Sequence, residues 1–158
     1  MATGSCIGIK SENGAIRAIY CHNDGYLGCV GETLVEHYGE PAKINALINL
    51  GSINSLYPEI GEKHSFEERR NAMFTDEPQV WQNWTLAYNR DRGDEWANCS
   101  PIDCKDNRDY TNQAIEVFTS NFVYLWDGEW TFCTEKDILN NNFTFQSVAM
   151  SLKNEKER

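Results

Sequence analysis

One alternating segment lies near each end of the chain, each folded about an Asx-Gly pair, and these two features constrain the fold more than any others. "CIGIKSENGAIRAIYC", Cys6 to Cys21, has Asn13-Gly14 at its centre, and "NFVYLWDGEWTFC", Asn121 to Cys133, has Asp127-Gly128. Such dipeptides supply the positive φ angles of tight hairpin turns, so both segments are read as β-hairpins. A two-residue loop at Asp127-Gly128 sets Leu125 opposite Trp130 and Val123 opposite Phe132. Side chains alternate along strands, which places Val123, Leu125, Trp130 and Phe132 on a core face. Phe122, Tyr124, Trp126, Thr131 and Cys133 then occupy the opposite face, which either helices cover or a partner binds. For the second case, Tyr124 and Trp126 are the candidate interaction surface.

Between the hairpins, Val30, Leu34 and Tyr38 recur at helical spacing over residues 31–38, with Gly39 expected to close that helix in the left-handed conformation. Pro41 opens a second helix carrying Ile44, Leu47 and Ile48 and ending near Gly51. Residues 52–107 are rich in turn formers, with a short helix expected at "SFEERR" and a strand in the aromatic stretch Trp81 to Tyr88. "TNQAIEVFTS" reads as helix, and "SLKNEKER" as a tail that frays over residues 150–158. The expectation is one α+β domain over residues 1–158: an antiparallel β-sheet built from the N- and C-terminal hairpins with short helices packed on it.

The balance of 14 basic against 24 acidic residues gives a formal net charge of −10, and such a field repels nucleic-acid backbones and anionic membranes. General nucleic-acid binding and membrane association are therefore not expected. The same charge suits either plain solubility or imitation of nucleic acid in a partner's basic groove. The opening Met-Ala-Thr-Gly-Ser has no basic-then-apolar pattern and no run approaches a membrane span, so a cytoplasmic location is expected, with the six cysteines as free thiols.

Chemistry-bearing residues concentrate at "IYCHNDGYLGCVGETLVEHYG". Cys21, His22, Cys29 and His37 are zinc-type ligands, but their spacings lack the close pairs that present two ligands from one turn. Cys21 beside His22 suggests a thiolate-imidazole pair, yet neighbours on a strand point to opposite faces, so the base would have to be His37 or His64. No cofactor is implied. His22, Asp24 and Tyr26 are read instead as a binding edge. "YNRDRGDEW" adds Arg90 and Arg92, whose guanidinium groups either fork onto an anion or pair internally with Asp91 and Asp94.

The blocks "IGIKSENGAIRAIYCHNDGYLGCVGETLVEHY", "LGSINSL", "PEIGEKHSF", "YNRDRGDEW" and "FVYLWDGEWTF" together resemble a family of small proteins encoded by tailed bacteriophages and prophages. The family signature is Tyr-Cys-His-Trp-Asp-Gly-Tyr. Tyr20, Cys21, His22, Asp24, Gly25 and Tyr26 match it, while Asn23 stands where the family has tryptophan. The resemblance implies an accessory phage gene acting in the host cytoplasm, and such genes often counter bacterial defence. The expected partner is a host defence protein whose nucleic-acid groove the acidic surface occupies, or a nucleotide-like small molecule held by His22, Asp24, Tyr26, Arg90 and Arg92, with homo-oligomerisation left open. A thiol- or zinc-dependent enzyme and a virion or host-takeover interaction protein are the alternatives.

Overall fold

The computed structural model describes residues 2–71 and 79–157. Strands β1 (Ser5–Lys10) and β2 (Ile16–Cys21) form the first hairpin, with Cys6 opposite Tyr20 and Lys10 opposite Ile16. Gly14 adopts φ +90° as its turn requires, whereas Asn13 contributes through its side chain, whose Oδ1 accepts from the Ala15 amide at 3.0 Å. The second hairpin is β6 (Phe122–Trp126) and β7 (Trp130–Thr134). The two hairpins dock side by side, because β1 pairs with β6 in parallel from Ser5↔Phe122 to Ile9↔Trp126.

That junction and the pair of β2 with β3 (Ile53–Ser55) are parallel within a sheet that is otherwise antiparallel, as expected. Parallel neighbours need a long crossover, and the helices between the hairpins supply it. With β3, β4 (Leu86–Ala87), β5 (Ile102–Cys104) and β8 (Gln146–Ser147), the described residues form a mixed, mostly antiparallel sheet of order β4-β3-β2-β1-β6-β7-β8, and β5 also pairs with β2. The fold is α+β.

The second hairpin also differs in register. Trp126 pairs with Trp130, Leu125 with Thr131 and Tyr124 with Phe132, so the loop is Asp127-Gly128-Glu129 rather than two residues. One added loop residue moves every β7 side chain to the other face. Tyr124, Trp130 and Phe132 therefore join Ile7, Ile19, Cys21 and Ile53 in one core layer, and Val123, Leu125 and Cys133 join Cys6, Ile16 and Ala18 in the other. Helices cover both faces.

On the first face lie α1 (Glu32–His37), α2 (Pro41–Ile48) and α7 (Val148–Lys156), which bury Leu34, Ile44, Leu47, Ile48, Val148 and Leu152. Each such aliphatic side chain contributes about 1.5–3 kcal/mol by leaving water. Gly39 has no positive φ, so it does not close α1 as expected, and the left-handed closure falls instead at Gly51, φ +76°, after α2. The tail expected to fray is helical to Lys156, because Leu152 is buried and Lys156 reaches Glu32 at 3.3 Å. On the second face, α5 (Asn107–Glu116) buries Tyr110 and Ala114, and α6 (Glu135–Leu139) buries Ile138 under a Thr134–Asp137 capping box.

In the long middle segment α3 (Phe66–Asn71) matches the expected helix. The aromatic stretch expected as a strand is a 3₁₀ turn at Val80–Asn83 followed by the two-residue β4, then a wide helical turn Tyr88–Arg92, and α4 (Trp96–Cys99) leads into β5. Residues 72–78 of this segment lie outside the described residues.

Candidate functional site

Cys21, Ile53 and Ala87 are register partners across β2, β3 and β4, and all three are buried in the first core layer. The residue after each stands at a strand end, a bulge or the start of a turn, and its hydrogen bonds place its side chain. Those residues are His22, Asn54 and Tyr88, and Tyr20, two positions before His22, joins them. The four side chains form a polar aromatic platform at one end of the second sheet face.

Hydrogen bonds order this platform. Tyr20 Oη lies 3.2 Å from His22 Nδ1, and Asn54 Nδ2 donates to Tyr88 Oη at 3.3 Å. Asn23 Nδ2 donates to Asn54 Oδ1 at 3.0 Å and to Ser55 Oγ at 3.2 Å, stitching the end of β2 to β3. Partial burial, and then the neighbouring Tyr88 phenol, push the Tyr20 phenol up. It stays protonated at neutral pH, and when it donates to Nδ1 the His22 proton sits on Nε2. Phe118, just beyond α5, stacks on Tyr20 at 5.5 Å and marks where the helical cover of this face ends.

Arg92 borders the other side. Its guanidinium lies 4.5 Å from the Tyr88 ring centre and 5.2 Å from that of Phe66, and forks onto Asp94 through Nε at 2.8 Å and Nη2 at 2.7 Å. The Arg92 bond holds the Asp94 carboxyl below the usual range.

The residues expected to bind together divide among separate surroundings. Arg90 is spent internally: Nε and Nη2 hold both oxygens of Asp91, Nη1 reaches the Ile60 and Gly61 carbonyls, and Nη2 reaches the Thr85 carbonyl. Asp91, buried, also accepts from the His64 and Ala87 amides. His64 lies between Trp81 and Trp84 with Nδ1 2.9 Å from the Glu62 carbonyl and Nε2 3.1 Å from Arg69 Nη2. The donor geometry puts its proton on Nδ1, and the network is a polar core beneath the loops.

Asp24 and Tyr26 act first through the backbone. Asp24 holds φ +56°, which aspartate tolerates better than most residues, and its carbonyl accepts from the Val30 amide at 3.1 Å. A Cβ at Gly25 would stand 2.7 Å from the Thr3 carbonyl oxygen, so only glycine fits there. Asp24 lines a cleft of about 400 Å³ with Cys29, Glu36 and His37. Tyr26, 45 % exposed, lines another of about 590 Å³ with Phe122, Phe132, Gln146 and Glu155. Tyr124 is corrected as an interaction residue: helices cover its face of β6 and bury it, and its hydroxyl donates to the Gly25 carbonyl at 2.7 Å. Trp126 is half-buried.

Cys21 faces the core while His22 faces the platform. Burial pushes the Cys6, Cys21 and Cys104 thiols up to about 12 and Cys133 to about 11. A thiol held protonated is a poor nucleophile. All six cysteines are free and only Cys29 is half-exposed. Among the described residues, no three His, Cys, Asp or Glu side chains are placed to hold one metal ion, and no helix is long and apolar enough to cross a membrane.

Sequence reasoning singled out His22 and Arg92 but passed over Tyr20, Asn54, Phe66 and Tyr88. These residues come from separate segments of the sequence that the fold brings together here. The chain matches no family model, no curated protein and no solved structure.

Proposed function

We propose that this chain is a bacteriophage-encoded binding protein that counters a bacterial defence component in the host cytoplasm, with the Tyr20, His22, Asn54, Tyr88 and Arg92 platform as its contact surface. The observation that carries the reading is the convergence of these side chains, from three separate segments, where the cover of α5 gives out at Phe118. Tyrosine and arginine are the residue types that most often carry protein contact energy, and the hydrogen-bonded rings are ordered before contact, which lowers the entropy lost on binding.

A protein partner suits this surface better than a sequestered nucleotide. Arg90 has no donor left for a phosphate, and Arg92 already forks onto Asp94. The formal net charge of −10 favours a partner with a basic face, as the nucleic-acid groove of a defence component has. The thiol-enzyme alternative is weakened where Cys21 was its nucleophile, because that thiol is buried and pushed up to about 12.

The test is plating of phage on bacteria that carry single defence systems and express this chain. Efficiency of plating rises at least about a hundredfold for the system it counters, and His22→Ala with Tyr88→Ala removes the rise while leaving protein levels unchanged; a hundredfold change is about 2.7 kcal/mol of binding if occupancy limits protection. Protection that survives both substitutions, or no protection against any system, contradicts the proposal.

A further inference from the structure

At the far end of the sheet from the platform, Arg17, Ile9 and Trp126 are register partners in three adjacent strands, β2, β1 and β6. Their side chains stand in a row on the first face. Ile9 and Trp126 pack against that core layer, and Trp130 braces the Trp126 indole edge-on at 5.6 Å. Pro41 and Asn45 of α2 form a wall, and with Lys10, Glu12 and Asp103 they enclose a cleft of about 660 Å³. Small-ligand sites commonly measure about 300–1,000 Å³.

Two cations and two carboxylates line this cleft, so its field depends on exposure. Glu12 and Asp103 belong to exposed residues, whose charges water screens strongly. Arg17 is half-buried and the Lys10 side chain is 24 % exposed, with only the 60 % exposed Asp127 at 3.8 Å. Asp103 is the cross-strand neighbour of Arg17, yet among the described residues no carboxylate lies within ion-pair distance of it, and its guanidinium donates to the uncharged Asn49 side chain. The cations therefore dominate locally. A guanidinium with unspent donors takes carboxylate or phosphate in a forked geometry, and the indole offers a flat apolar surface beside it.

We propose that this cleft binds a small aromatic anion, with its planar ring against Trp126 and Ile9 and its carboxylate or phosphate on Arg17, assisted by Lys10. Two strand spacings, about 10 Å, separate the backbones of Arg17 and Trp126, and the length of the arginine side chain brings the charge within reach of a ring lying over Ile9. The site is independent of the platform.

The test titrates the full-length ¹⁵N-labelled protein with indole-3-acetate, adenosine monophosphate and tryptamine, following the indole N–H signal of Trp126 assigned through Trp126→Phe. The expected result is saturable movement of that signal with one or both anions. Whether the carboxylate, the phosphate or both bind identifies the anionic group accepted. Tryptamine should bind at least about tenfold more weakly. Arg17→Gln, which keeps a side-chain amide for Asn49, and Lys10→Gln should each weaken the anions without moving the melting temperature, Arg17→Gln by about tenfold or more. Equal or tighter binding of tryptamine, anion affinity unchanged in Arg17→Gln, or no movement with either anion at millimolar concentration overturns the proposal.

Discussion

Arg90 and Arg92 stand two positions apart and do opposite work. Every nitrogen of the Arg90 guanidinium donates, to Asp91 or to carbonyls of Ile60, Gly61 and Thr85, and Asp91 is sealed from solvent. Removing one partner leaves an uncompensated buried charge, so Arg90→Ala is expected to cost about 3–5 kcal/mol in urea unfolding. Arg90→Lys should recover little, because an ammonium cannot reproduce the fork. Arg92, half-exposed on its side chain, is expected to leave the urea midpoint within error when replaced by alanine. Equal destabilisation by the two alanine substitutions would contradict this division. Composition cannot separate the two arginines; the distinction lies in which carbonyls the loops bring around them. Thiols follow the same logic of burial: native alkylation near neutral pH should add one label, at Cys29, and unfolding should release the other five, as intact mass would record.

At the scale of elements, strands and helices were legible in the sequence where their signals are local. The first hairpin, α2 and the placement of the second hairpin follow from turn dipeptides and periodicity. The register of β6 and β7 was not legible, because Asp-Gly serves both a two-residue and a three-residue loop; here Gly128 alone takes a positive φ, +84°, and Glu129 completes the loop. That single residue exchanged the two faces of β7; Tyr124, on β6, keeps its face and is buried because α1, α2 and α7 cover it. The charged C-terminal run conceals α7 for a related reason: Val148 and Leu152 are too sparse to announce a buried helix, and tertiary contacts hold it. A chain ending at Ser147 should therefore lose several kcal/mol, since deleting a buried leucine alone costs about 2–5 kcal/mol. Its melting temperature should drop clearly; an unchanged value would mean that the helix does not contribute to the core.

The whole molecule joins its two hairpins through the parallel β1–β6 contact, and this closes a sheet whose layers hold several protonated thiols and phenols. A thiol whose pKa rises from 9.0 in the unfolded chain to about 12 when folded, as for Cys6 and Cys21, favours folding fully below pH 9; that contribution is lost as pH climbs through 9 toward 12. Urea midpoints should be flat up to about pH 8.5 and fall above pH 9, with the fall reduced in Cys21→Ala. The platform belongs to this scale too, because β2, β3 and the turn after β4 meet only in the assembled sheet. Its residues were visible in the sequence as separate blocks, and its existence was not, since cross-strand neighbours leave no mark on spacing. The most direct test of the central claim is native mass spectrometry of the protein purified from infected bacteria, run beside the His22→Ala, Tyr88→Ala double variant. The account predicts that the wild-type chain carries a host protein that the folded variant has lost. The same partner retained on the variant, or a bare chain in both samples, would contradict it.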